Sequence, residues 1–265
     1  MNVLVTGAGG GLGRAFAVEC AARGYNICLT DINGEGLAKI QNGLLRQFGA
    51  NALMKACDIT DDAEVMALGN FLSENGFEPD MLINVAGVDF EGGFCQRDFG
   101  QISGIIRLNI EGTLRVTHRV LDQKSGGKMY IINVCSLAAK QPMPLKATYA
   151  ASKRFLLDFS LALSEELRSR GVSVLALCPG GLATTKETIE AIGAQGFYGA
   201  VTTNALERMT AKTLDYAMRG KKVYIPGLVN KILAFFGKFV PPSVTAHILF
   251  RRWEKAQKRW LYREG

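Results

Sequence analysis

Short apolar, β-branched runs alternate along this chain with longer stretches in which apolar and polar positions repeat at helical spacing. Seven runs predict strands, at Val3–Thr6, Asn26–Thr30, Ala52–Ala56, Met81–Val85, Met129–Cys135, Ser173–Cys178 and Val223–Pro226, with helix-length segments between them. Strands that are apolar throughout are buried on both faces, and strand–helix–strand alternation demands right-handed crossovers. The pattern therefore predicts an α/β fold, a doubly wound, mostly parallel sheet in three α/β/α layers. Ligands on such sheets bind at the carboxyl ends of the strands, so chemistry is expected just after each one. From about Ala183 to Thr203, glycines and threonines replace any clear period; this segment reads as a mobile flap.

A length of 265 residues fits one such domain. With 48% hydrophobic and 21% charged residues, the composition excludes disordered and fibrous classes. The net charge of +7 is unevenly spread: residues 219–265 hold eleven Lys/Arg against two Asp/Glu, leaving −2 for the rest. Basicity confined to a tail argues against a nucleic-acid-binding body, whose phosphate footprint would spread over the docking face. The chain opens on strand-like residues without a basic segment, apolar core or cleavage site ahead of them, so no export signal is expected. Six scattered cysteines form no C-x-x-C pair and read as reduced core thiols of a cytoplasmic protein. His118 and His247 stand far apart with no cysteine at ligand spacing, so no metal is expected.

Candidate chemistry falls at the strand ends. The first strand runs into Thr6-Gly7-Ala8-Gly9-Gly10-Gly11-Leu12-Gly13 and then a helix. Glycines there let backbone approach a pyrophosphate closely, and main-chain N–H groups at the helix terminus supply the anion site. Asp31 ends the second strand, where a carboxylate accepts from both adenosine-ribose hydroxyls and repels a 2′-phosphate, with no cation at Ile32 or Gly10 to compensate. Cys57-Asp58-Ile59 and Asn84-Val85-Ala86-Gly87 follow the third and fourth strands and suit adenine-side contacts and loop support. Tyr149 and Lys153 lie four apart in a helical stretch, hence on one face. A lysine cation beside a phenol favours phenolate, which makes Tyr149 a candidate general acid or base. Y-x-x-x-K is short enough to recur by chance; its weight comes from Ser136, which ends the fifth strand and offers a hydroxyl to a substrate oxygen.

Over residues 2 to 226 the chain resembles the short-chain dehydrogenase/reductase family. The carriers are Thr6 to Gly13, Asn84 to Gly87 with one departure at Val85, Asn109 to Gly112 as N-x-x-G, the series Ser136, Tyr149 and Lys153, and Pro179-Gly180 with Thr184. The resemblance implies a Rossmann-type catalytic domain over residues 1–226. It also implies a catalytic tetrad. Tyr149 donates or removes the hydroxyl proton, Ser136 fixes the substrate oxygen, Lys153 holds the nicotinamide ribose and lowers the tyrosine pKa, and Asn109 positions a proton-relay water. Pro179, Gly180 and Thr184 sit near the nicotinamide and its amide. The implied reaction interconverts a secondary alcohol and a ketone in a homodimer or homotetramer, and Asp31 points to NAD(H) in preference to NADP(H).

The resemblance thins after Gly227, so residues 227–265 are expected to form a basic amphipathic extension packed on the body. Its apolar run around Ile232–Val240 is too short to span a bilayer. Trp253 and Trp260, seven apart among Arg251, Arg252, Lys255, Lys258 and Arg259, could lie on a membrane surface, but a charge run is usually a solvated face, so lid or subunit packing is the preferred reading. With an apolar flap at Ile189, Ile192, Phe197 and Tyr198, the tail suggests a bulky lipophilic substrate such as a hydroxysteroid or keto-lipid. Two rival readings are a nucleotide-binding sensor or scaffold without turnover, and a sugar-nucleotide epimerase. The intact tetrad weighs against the first; the second expects T-G-x-x-G-x-x-G and a larger substrate domain.

Overall fold

The computed structural model describes residues 1–184, 189, 192, 193 and 197–258. In chain order the elements are β1 (Asn2–Thr6), α1 (Gly11–Ala22), β2 (Asn26–Asp31), α2 (Gly34–Phe48), β3 (Leu53–Ala56), α3 (Asp62–Glu74) and β4 (Met81–Asn84). There follow α4 (Phe99–Ile106), a π-helical turn (Arg107–Gly112) that runs on into α5 (Thr113–Asp122), β5 (Met129–Val134), α6 (Ala147–Glu166) and β6 (Val172–Leu177). The last elements are α7 (Phe197–Thr202), α8 (Leu206–Met218), β7 (Val223–Tyr224), α9 (Leu228–Phe236) and α10 (Pro242–Lys258). All seven predicted strands form, the last shortened to two residues.

The strands make one seven-stranded parallel sheet in the order β3-β2-β1-β4-β5-β6-β7. The two-residue period of a strand explains its apolar runs: Val3 and Val5 face one layer, packed with Phe16 and Ala17 of α1, Leu37 of α2 and Leu214 of α8. Leu4 faces the other with Val65 and Leu68 of α3 and Val116 of α5. Both faces are thus covered, which is what a parallel sheet requires. Chain order reverses between β1 and β4, the switch point at which such sheets open a crevice.

Helix starts differ in a way that bears on function. Asn33, Asp61 and Asp98 cap α2, α3 and α4 through side-chain acceptors. α1 has no side-chain cap and no acidic residue in its first turn, so its terminal N–H groups remain directed at the crevice. Beyond β7, α9 buries Asn230 and Ala234 against the body, whereas much of α10 stands exposed.

Candidate active site

At the carboxyl edge of β1, β4, β5 and β6 lies a cavity of ≈ 1980 Å³. That exceeds the roughly 300–1,000 Å³ taken by one small-molecule site, leaving room for a dinucleotide and a substrate side by side. Gly7, Gly10, Gly11, Leu12, Gly13, Asp31, Ile32, Asp58, Ile59, Ala86, Gly87, Pro179, Gly180 and Thr184 line it, as do Ser136, Tyr149 and Lys153. Gly9, Asn84 and Asn109 do not.

The β1 end is a cradle of main chain. Gly7 has φ +63°, and a methyl there would come within 2.6 Å of the Ala86 nitrogen; one on Gly13 would overlap the Gly7 carbonyl oxygen. These glycines let two loops and the start of α1 meet without side chains, and the uncapped α1 terminus faces the space they leave. The donor set fits a dinucleotide pyrophosphate. Asp31 stands over the same loop: Gly9 N–H donates to its Oδ2 at 3.0 Å and Asn33 N–H to its Oδ1 at 2.9 Å. On the far side a methyl on Gly11 would touch Thr184, so the segment after β6 returns across the mouth of the cradle. The Asp58 carboxylate accepts from the Thr60 N–H and hydroxyl, which sets the turn beside the neighbouring Ile59.

Asn84 is a correction to the sequence reading. It turns inward and donates to Thr117 Oγ1 at 3.0 Å and Asn133 Oδ1 at 2.8 Å, while Asn133 donates to Ser160 Oγ. This buried chain ties β4 to α5, β5 and α6, so the Asn84 side chain supports the floor of the site. The contact made from this loop belongs to Thr6, whose hydroxyl accepts from the Val85 and Ala86 N–H groups at 3.1 and 3.3 Å.

The reacting end is made of side chains. Ser136, Tyr149 and Lys153 come together at the end of β5 and on one face of α6. Lys153 is buried and donates from Nζ to the Val134 carbonyl at 2.9 Å; its Nζ lies 5.8 Å from the centre of the Tyr149 ring. Burial lowers its pKa. Asn109 is fully buried in the π-helical turn and clasps Val88, accepting from its N–H at 2.8 Å and donating to its carbonyl at 3.0 Å. It also donates to Ser152 Oγ. A methyl on Gly87 would meet both Asn109 Oδ1 and Lys153 Nζ, so Gly87 opens the gap in which these groups approach. Gly112, last of N-x-x-G, packs directly on Ile59.

The tyrosine environment departs from expectation. Burial and the nearby Asp89 carboxylate push the Tyr149 pKa up to about 12, offset in part by a hydrogen bond with Ser136 and by Lys146. Lys146 is a cation that opposes this rise, and Lys153 Nζ stands at the same 5.8 Å from the ring centre. Lys146 Nζ lies 5.8 Å from the ring centre, pairs with Asp89 at 2.7 Å and also with Glu91. Those carboxylates, first among them Asp89, hold its charge firmly in place against the cost of burial. Lys146 follows Leu145, whose φ of +66° is the one positive value at a non-glycine among the described residues. The Leu145 carbonyl accepts from Gly92 N–H at 2.8 Å, which joins this turn to the loop bearing Asp89 and Glu91. Nothing in the sequence pairs residues 57 apart, and that triad was not foreseen.

Asn230 of α9 was missed too. Fully buried, it donates to the Thr202 and Pro226 carbonyls at 3.0 and 2.9 Å. Asn204 beside it accepts from Gly180 N–H at 2.9 Å, which joins α9 to the loop after β6. Of the expected flap, Ile192 lines the cavity and Ile189 is exposed; the side chains of Phe197, Tyr198 and Trp253, and all of Trp260, lie outside the described residues. No described helix is long and apolar enough to cross a membrane.

Comparison with known proteins agrees with this geometry. The family model for short chain dehydrogenase matches residues 1–191. The chain is 33% identical over 183 residues to a diacetyl reductase ((S)-acetoin forming) of Staphylococcus epidermidis, covering 68% of this chain and 70% of that one. It is 32% identical over 184 residues to the 17-beta-hydroxysteroid dehydrogenase type 3 of Mus musculus, covering 68% and 60%. The crystal structure of an actinorhodin polyketide ketoreductase with NADPH superposes with a TM-score of 0.75 at 25% identity, covering 85% of this chain and 95% of that one.

Proposed function

The chain belongs to the short-chain dehydrogenase family and is an oxidoreductase of alcohol and ketone groups; from that premise we propose that it uses NAD(H) to interconvert a bulky lipophilic secondary alcohol and its ketone. The observation that carries the substrate reading is the wall opposite the cradle, where Ile232, Leu233, Phe236, Val240, Ile248 and Leu249 close the cavity with apolar surface. Burial of a large apolar substrate there excludes water from the reacting carbon. Similarity to a hydroxysteroid dehydrogenase supports the same class of substrate.

Asp31 supports NAD(H) over NADP(H). Its carboxylate lies within about 3 Å of where a Gly9 methyl would stand, so a 2′-phosphate at this point would meet a fixed negative charge. The residues following the neighbouring strand end, Asp58, Ile59 and Thr60, bring no cation to it. Gly7, Gly10, Gly11 and Gly13 with the α1 terminus would hold the pyrophosphate, and Lys153 the nicotinamide ribose. When bound, the nicotinamide supplies or accepts the hydride.

The chain's own part is positioning and proton transfer. Ser136 holds the substrate oxygen against the Tyr149 phenol, and Tyr149 gives its proton to the alkoxide oxygen during reduction or takes one from the alcohol during oxidation. Asn109 fixes Val88 and the wall beside Lys153. We place the catalytic body at residues 1–226 with 227–265 as its extension, working in the cytoplasm as a homodimer or homotetramer. Exposed Phe99 and Ile106 of α4 and Phe155 of α6 offer an apolar face for such pairing.

The reading is tested by following nicotinamide absorbance with a panel of ketones from diacetyl to ketosteroids. Expected are turnover that rises with substrate size and a higher kcat/KM for NADH than for NADPH. Equal values for the two cofactors would defeat the Asp31 argument, and no turnover with any ketone would favour the sensor reading.

A further inference from the structure

The segment that closes the cavity has a second, outward surface. On α9 and the turn after it Leu228, Phe235, Phe236 and Phe239 are 73%, 55%, 62% and 71% exposed. The three phenylalanines pack edge to face, with ring centres 5.3 and 5.4 Å apart. Val244 and Phe250 of α10 continue the exposed apolar surface. A soluble monomer rarely leaves so many large apolar side chains together in water.

α10 is amphipathic in an unusual sense: both its described sides are put to use. Thr245, Leu249 and Arg252, at i, i+4 and i+7, line the cavity. Ile248 belongs to the lining and is also 58% exposed, so it stands at the rim. The outer apolar surface and the cavity mouth are therefore continuous. The charge from α9 to Arg252 has one sign. No acidic residue occurs between Asp215 and Glu254, and Lys231, Lys238 and Arg251 are exposed along the same stretch. A second copy of this chain docked through the same face would set these cations against their own equivalents, whereas an anionic surface would satisfy them. No described helix can span a bilayer, which leaves a surface seat.

We propose that α9, the turn Gly237–Val240 and the outer side of α10 seat on an anionic lipid bilayer with the cavity mouth turned toward it, so that an apolar substrate passes from lipid to Tyr149 without crossing bulk water. This rests on the lipophilic-substrate reading above for what passes, but not for the seat itself. Phe235 and Phe239 enter the interfacial layer, Phe236 stands with Ile248 at the rim of the mouth, and the basic side chains meet lipid phosphates.

The test is flotation of the full chain with vesicles of phosphatidylcholine alone and of phosphatidylcholine mixed with phosphatidylglycerol. Binding is expected to the mixed vesicles, weakening as salt screens the basic contacts. The double variant Leu228→Ser/Phe239→Ser changes two exposed side chains outside the cavity lining. It is expected to lose about tenfold or more in vesicle affinity while keeping its fold, its oligomeric state and its turnover of a water-soluble ketone. Lys231→Glu/Lys238→Glu should remove the preference for anionic vesicles. Equal binding to both vesicle types, absence of binding, or binding unchanged in Leu228→Ser/Phe239→Ser would overturn the proposal. So would a dimer that this variant dissociates, since a second copy would then be the occupant. Flotation needs no turnover, so loss of ketone reduction with vesicle binding intact strikes the functional reading alone.

Discussion

At the β1 end of the cavity the ligand meets main chain: Gly7, Gly11, Gly13 and the uncapped start of α1. At the β5 end it meets side chains drawn from three separate stretches: Ser136, the start of α6 with Lys146, Tyr149 and Lys153, and the Asp89–Glu91 loop. At the first end Gly7 and Gly13 tolerate no added atom, because a methyl on either would run into backbone. The second tolerates changes of shape better than changes of charge, because its key group is a phenol held among carboxylates and ammonium groups. One end is specified by sterics and the other by electrostatics, and each should fail in its own way.

Removing the phenol should have the largest effect. Tyr149→Phe is expected to lower kcat by about 10²–10⁴-fold while leaving NADH affinity within a small factor, as titration calorimetry would report. Wild-type-like turnover would remove Tyr149 from the chemistry. Next in size, Gly13→Ala forces a methyl onto the Gly7 carbonyl oxygen at a cost of about 1–3 kcal/mol. Dinucleotide affinity should fall roughly tenfold or more, with a lower melting temperature and unchanged pH dependence. A shifted pH profile in this variant would break the division between the ends.

Lys146→Met acts in the opposite sense, on pH and not on cofactor affinity. Alcohol oxidation needs the phenolate, so its rate rises as pH passes the Tyr149 pKa. Without Lys146, burial and the Asp89 charge oppose ionisation with less to offset them, and that limb should move alkaline by about one unit. Asp89→Asn should move it toward acid, and the double variant should return it toward the wild-type position. A limb that stays fixed in all three would show that the triad only braces the loop. The smallest effect belongs to Leu145→Gly. A leucine in the left-handed region costs about 1–2 kcal/mol, offset by the greater chain entropy of glycine, so thermal melting should rise by no more than a few degrees.

The same contrast explains what could be read from sequence. Backbone sites announce themselves because only glycine fits them, and the Gly7–Gly13 loop, the seven strands and their parallel, doubly wound sheet followed from pattern alone. Ser136, Tyr149 and Lys153 were legible because each ends a strand or shares a helix face. The Lys146–Asp89–Glu91 cluster was not, since an ion pair across 57 residues has no local signature, and for the same reason the phenol was expected to be more acidic than it is. Asn84 looked like a ligand contact because it follows a strand; side-chain direction, which alternates residue by residue, sent it inward. Asn230 sits where the family resemblance thins, so nothing marked it.

That last residue bears on where the chain can be cut. A boundary after Pro226 looks natural, since the sheet is complete there. Yet Asn230 is the donor for Thr202 and Pro226, and through Asn204 the same knot reaches Gly180. A chain ending at Pro226 would take the Asn230 donor from the Thr202 carbonyl, leave Pro226 with Asn204 alone, and loosen the turn that crosses the glycine cradle. The fold's closure therefore draws on α9, and because Val240, Ile248 and Leu249 also line the cavity, trimming that keeps the substrate wall belongs beyond α10.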